Sequence, residues 1–118
     1  MDYKRSDRVA DLIQREIADL ILRRVKDPRV ANLTVTGVEV SADLKHARVF
    51  YCIMGGSPDE NIRKNASLGL EKARGFIRQE IGKRLRLRYV PQFEFEYETS
   101  FDYSDKIERL LKELHKDD

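Results

Sequence analysis

Four groups of side chains in this sequence could do chemistry: two histidines, one cysteine, three closely spaced glutamates and one dense run of cations. His46 falls in an expected turn and His115 near the C-terminus, and neither has a nucleophile or a ligand-spaced partner beside it. Cys52 stands alone inside an apolar run, so neither a disulfide framework nor a cysteine zinc site can be built. Glu94, Glu96 and Glu98 alternate with Phe93, Phe95 and Tyr97. That is the period of a half-buried strand, so the carboxylates read as its solvated face rather than as an acid–base pair. No glycine-rich nucleotide loop, GxSxG or HExxH occurs. The sequence argues against an enzyme, and no cofactor, metal or small-molecule substrate is expected.

The remaining candidate is ARGFIRQEIGKRLRLRYVP, residues 73–91. From Lys72 to Arg88 the chain carries seven basic residues and one acid, a local +6 in a protein whose net charge is only +2. Such asymmetry points to an anionic partner, and phosphate is the anion that a dense row of Lys and Arg attracts best. Arg78 and Lys72 have no carboxylate three or four residues away, whereas Arg74 can meet Glu71, and Lys83 or Arg84 can meet Glu80. Gly75 and Gly82 flank Arg78, although each costs about 1 kcal/mol relative to Ala inside a helix. Where a side chain is missing, a phosphate backbone can approach the peptide groups, which makes Gly75–Arg78–Gly82 a candidate contact strip for RNA backbone. The competing reading is close packing of these glycines against another element. Lys72, Arg74, Lys83, Arg84, Arg86 and Arg88 complete the candidate surface, and Arg5, Arg8, Lys45 and Arg48 are candidate extensions of it.

Something must hold that surface in place. Val9, Leu12, Ile13, Ile17, Leu20 and Ile21 recur at helical spacing, with Ser6 as expected N-cap and Asp27-Pro28 as expected stop. LTVTGVEV, 33–40, alternates like a strand but changes phase at Gly37, which predicts a β-bulge. ARVFYCI, 47–53, is a second strand, joined to the first as an antiparallel hairpin. After the breaker GGSPDE, a stripe of Ile62, Ala66, Leu70, Ala73, Ile77 and Ile81 predicts one long helix or two in tandem, broken or kinked at Gly69, Gly75 or Gly82. QFEFEYE is the third strand, and Ile107, Leu110, Leu111 and Leu114 predict a short last helix over about 104–116, capped by Ser104. The aromatic row Phe93, Phe95, Tyr97 reads as core, so no exposed stacking platform is expected. The order is α-β-β-α(kinked)-β-α: an α+β fold with a three-stranded sheet and helices packed on one face.

At 118 residues the chain has the size of one domain, 1–118, and 41% hydrophobic residues suffice for a modest core. No apolar stretch approaches a membrane span, and MDYKRSDR lacks a signal-peptide apolar region, so a soluble, cytoplasmic protein without a membrane partner is expected. Nothing demands more than a monomer. A protein-binding adaptor, using the acidic strand face, the last helix, or apolar Phe50, Cys52 and Met54, is the alternative to an RNA-binding factor.

The order of elements resembles a type II KH domain, a module that clamps nucleic-acid backbone with a GXXG loop between two helices. No GXXG occurs here; Ala73-Arg74-Gly75 stands at the expected break. That substitution, together with DPR at 27–29, VEVSADLKHARVF at 38–50, GFIRQEIGKRLRLRYVP at 75–91 and IERLL at 107–111, is similar to the ribosome-binding factor A family. Gln92-Phe93 stands where the family usually has Glu-Leu, and the chain stops soon after the expected last helix. The resemblance implies a non-catalytic assembly factor that binds free or immature 30S particles and 16S ribosomal RNA. It also implies assistance to late 16S maturation, including processing of the 5′ end, and a part in growth in the cold. Ala73 enters the RNA-binding surface on the strength of this resemblance, beside Arg74 and Gly75, which the charge and glycine pattern already places there.

Overall fold

The computed structural model describes residues 3–54 and 59–98. It contains α1 (Arg5–Arg23), a 3-10 turn (Pro28–Val30), β1 (Leu33–Val40), β2 (His46–Ile53), α2 (Glu60–Leu85) and β3 (Gln92–Tyr97). The expected helix over 104–116, His115 and the GGSP of the breaker lie outside the described residues.

The apolar stripe of α1 buries Ala10, Ile13, Ile17, Leu20 and Ile21. Ser6 is not its N-cap. The cap is Lys4, whose backbone N–H donates to the Asp7 carboxylate at 2.9 Å, while Ser6 lies buried within the first turn. The helix also stops at Arg23, earlier than expected. Asp27-Pro28 instead starts the 3-10 turn: Asp27 is extended, as a residue before proline prefers, and its carboxylate accepts the Arg29 N–H.

β1 and β2 form the expected antiparallel hairpin, and the register slips between Val35↔Tyr51 and Gly37↔Phe50. Thr36 is the extra residue of the bulge, and it reverses which residues of β1 point inward. β3 adds to the other side of β2 in parallel, giving sheet order β1-β2-β3. Its register sets Phe93 beside Ala47, Phe95 beside Val49 and Tyr97 beside Tyr51, so the aromatic row shares a face with the buried residues of β2. Ile13, Ile17 and Leu20 of α1 and Leu70, Ile77 and Ile81 of α2 complete that core with no exposed surface at all. Both helices therefore pack on one face of the sheet. Glu94 and Glu96 are exposed on the other, where Arg48 meets Glu96 at 3.4 Å. Cys52, on that same outer face, is buried rather than left uncovered; Met54 beyond it is exposed.

The expected interruption near Ala73–Gly75 is absent. α2 runs as one helix of 26 residues. Ala66, Leu70, Ile77 and Ile81 are fully buried on both sides of Gly75. Burial of each large side chain is worth roughly 1.5–3 kcal/mol, more than the helical deficit of one glycine. The helix ends instead at Arg86, whose left-handed backbone (φ 52°) reverses the chain well before Val90-Pro91.

Candidate nucleic-acid interface

At 100° per residue, Lys72, Phe76, Gln79 and Lys83 fall within roughly 60° of one another around α2. All four are exposed, and exposed Arg86 continues the line just beyond the helix end. This is the open stripe of the helix, and it is not the stripe that the glycines marked. Gly75, Arg78 and Gly82 lie on a neighbouring flank that meets the start of β3. Arg78 is half-buried there, its Nε donating to the Pro91 carbonyl at 3.2 Å and its Nη2 to the Val90 carbonyl at 2.9 Å. A Cβ on Gly82 would stand 2.7 Å from Val90 Cγ2, so Gly82 serves close packing, the competing reading. Only Gly75 is open, with no atom within 4 Å of a Cβ built on it.

Beside the open stripe lies a cleft of about 510 Å³. Val25, Lys26, Asp27, Pro28 and Arg29 form one wall; Gly69, Lys72, Ala73 and Phe76 form the other. Gly69 makes the narrow floor possible: a Cβ there would sit 3.0 Å from Val30 Cγ1 and 3.3 Å from Arg29 Cβ, holding the 3-10 turn away from α2. Within the cleft, Arg29 grips Asp27 through its guanidinium at 2.6 Å and its backbone N–H at 3.0 Å. The hydrogen bonds from the Arg29 side chain, then from its backbone, lower the Asp27 pKa from 3.8 to about 2, aided by the charges of Arg29 and Lys72. The one carboxylate of the cleft is thus neutralised by Arg29, leaving Lys26 and Lys72 as positive charge on its walls. At the mouth, Phe76 is 36% exposed, and the Arg24 guanidinium lies 5.7 Å from its ring centroid.

The other sequence candidates disperse. Arg74 is exposed but turned away from the open stripe, and pairs with Glu71 at 3.3 Å as its spacing foretold. Arg84 does not meet Glu80. It reaches α1, where one guanidinium nitrogen binds Glu16 at 2.9 Å and Asp19 at 2.7 Å. Lys83, Arg86 and Arg88 are exposed, as are Arg5 and Arg8 at the start of α1 and Lys45 in the β1–β2 turn; Arg48 is on the outer sheet face. Arg24, Lys26, Phe76 and Gln79 were missed. The signal for Phe76 and Gln79 was present, since Lys72-Phe76-Gln79-Lys83 repeats at four, three and four residues. Arg24 and Lys26 carried no such signal, because only the fold brings the segment after α1 against α2. Among the described residues, no group of three or more His, Cys, Asp and Glu is placed to hold a metal ion, and no helix is long and apolar enough to cross a membrane.

A family model described as ribosome-binding factor A matches residues 5–111. The chain belongs to the ribosome-binding factor A family. Among its relatives, the ribosome-binding factor A of Syntrophobacter fumaroxidans is 59% identical over 118 residues, all of both chains. The crystal structure of ribosome-binding factor A from Thermus thermophilus superposes with a TM-score of 0.68 at 25% identity, covering 80% of this chain and 97% of that one. Coordinates of the Thermus thermophilus factor fitted into a cryo-electron-microscopy map of a 30S complex match with a TM-score of 0.60 at 25% identity, covering 74% of this chain and 88% of that one. The mixed three-stranded sheet with its two helices is thus the architecture of ribosome-binding factor A structures. In this member, Ala73-Arg74-Gly75 is continuous helix, with Ala73 on the cleft wall and Gly75 open beside it.

Proposed function

We propose that this chain binds the small ribosomal subunit through 16S ribosomal RNA, using the open stripe of α2 and the cleft beside it, and catalyses no reaction. One observation carries the reading: with Arg78 and Arg84 used internally, Lys72 and Lys83 stay exposed along the open stripe of α2, and Lys72 with Lys26 lines a cleft whose one carboxylate among the described residues, Asp27, is already neutralised by Arg29. Family membership supports it, since the Thermus thermophilus relative was fitted into a map of a 30S complex. Assistance to late 16S maturation, including the 5′ end, a part in cold growth, a cytoplasmic location and action as a monomer belong to the same proposal.

The salt dependence of binding tests it. If about five of the exposed cations touch phosphate, log K falls against log salt with a slope of roughly −3.5 on single strands to −4.5 on duplex. Gradient sedimentation of tagged protein through cell lysate supplies the second measurement. Migration with free 30S particles that disappears at high salt supports the proposal. Salt-insensitive recovery with an RNA-free protein would favour the adaptor reading instead.

A further inference from the structure

The corner between α2 and β3 carries an aromatic side chain that neither the core nor the cleft uses. Arg86 takes the left-handed conformation (φ 52°, ψ 42°) in which α2 ends, and its N–H donates to the Gly82 carbonyl. The reversal leaves Leu87 half-buried against the core, while Arg88 and Tyr89 stay outside. Tyr89 is 75% exposed, and the Arg88 guanidinium lies over its ring at 5.5 Å from the centroid.

This corner is held on every side. Arg78 ties down the carbonyls of Val90 and Pro91, the two residues after Tyr89. Val90 is seated against Gly82, Pro91 is fully buried, and the Gln92 N–H donates to the Lys45 carbonyl at 2.8 Å. An exposed ring on so constrained a backbone loses little freedom when a partner covers it. The charge around it is positive: Arg86 and Arg88 in the corner, Lys83 one turn earlier in α2, Lys45 in the adjoining turn. The nearby Asp43 carboxylate is taken up by its own turn, accepting from the Ser41 hydroxyl and the Lys45 N–H.

We propose that Tyr89 is a stacking platform for an unpaired base of single-stranded RNA. Arg88 covers one face of the ring, the base takes the other, and Arg86 and Lys83 hold the flanking phosphates. A flat apolar face framed by guanidinium groups fits a nucleotide, which presents a π surface and a negative charge together. The inference rests on the RNA-binding reading and adds a second aromatic position to it. Phe76 and Arg86 are ten residues apart, so at 1.5 Å per residue the cleft mouth and this corner stand about 15 Å apart along α2. Such spacing lets one strand engage both. Stacking tolerates every base, so little sequence preference is expected.

The test is equilibrium binding of the full chain to a short single-stranded oligoadenylate and to the same strand annealed to oligouridylate. Tyr89→Ala should weaken single-strand binding about 5- to 100-fold, leave duplex binding unchanged and leave the salt slope intact. Tyr89→Phe should retain single-strand binding, because it keeps the ring and removes only the hydroxyl. The side chain is mostly solvated, so an unchanged Tm will confirm that the variants fold. If wild type binds RNA in a salt-dependent way and Tyr89→Ala binds the single strand equally well, the stacking platform is overturned and the RNA-binding reading stands. Equal weakening on single strand and duplex also overturns it. Should wild type bind neither strand, the RNA-binding reading falls as well.

Discussion

Asp27 shows how one residue can matter to a basic surface by being negative. Its carboxylate caps the 3-10 turn, fixes Arg29 and keeps one wall of the cleft in place against Gly69. Hydrogen bonds to Arg29 favour the ionised form, so the folded-state pKa, about 2, lies below the unfolded value of 3.8. A depressed carboxylate pKa stabilises the fold fully above the unfolded pKa and loses that contribution as pH falls through the folded one. Asp27→Asn should therefore lower Tm at neutral pH, with the gap from wild type closing as pH drops from about 4 to about 2. Thermal melts across that window check the sign. Residue chemistry of this kind was only partly legible in advance. The sequence showed Arg74 beside Glu71, because a helix determines which residues three apart can meet. It did not show Arg84 crossing to α1, nor Arg78 donating to the carbonyls of Val90 and Pro91. Those partners are brought close by packing, and local spacing holds no information about packing.

Within α2, two glycines that look alike in sequence do opposite things. Gly75 faces open space and Gly82 faces Val90. Gly75→Ala should raise stability by about 0.5–1 kcal/mol, the ordinary helical gain. Gly82→Ala should lower it by roughly 1–3 kcal/mol, because a methyl 2.7 Å from Val90 Cγ2 must push a stiff β-branched side chain and the pinned corner behind it. Denaturant melts of the two variants separate these outcomes. If Gly75 is needed for close approach of RNA, Gly75→Ala will also weaken RNA binding; unchanged affinity would limit its role to the helix. The same element shows why a break was expected and did not occur. Glycine content registers a local cost, whereas the continuity of α2 is decided by how much apolar surface its two halves bury against a single sheet.

At the scale of the whole molecule, the protein divides its cations into those that hold it together and those that remain exposed. Arg84 joins α2 to α1 through Glu16 and Asp19, and its pKa is raised by those two hydrogen bonds. Lys83, its neighbour in sequence, is exposed on the open stripe. Arg84→Met should lower Tm and leave the salt slope of RNA binding unchanged. Lys83→Ala should do the reverse, reducing the slope by about 0.7–0.9 with little change in Tm. Measuring both properties on both variants tests whether the division is real.

By itself the sequence determined the periodicities: the inward stripes of α1, α2 and β3 (save Leu12 and Ile62, which the sequence placed in them and the structure leaves exposed), where β1 must bulge, and that the strongest positive charge lies along one helix. These follow from backbone geometry, which repeats every 3.6 residues in a helix and every two in a strand whatever surrounds it. Only the tertiary structure decided which flank of α2 stays open, because that depends on where the Val90-Pro91 corner and the Asp27–Val30 segment come to rest. Both are placed by side chains far away in sequence, and the cations they leave exposed are the ones free to meet a polyanion.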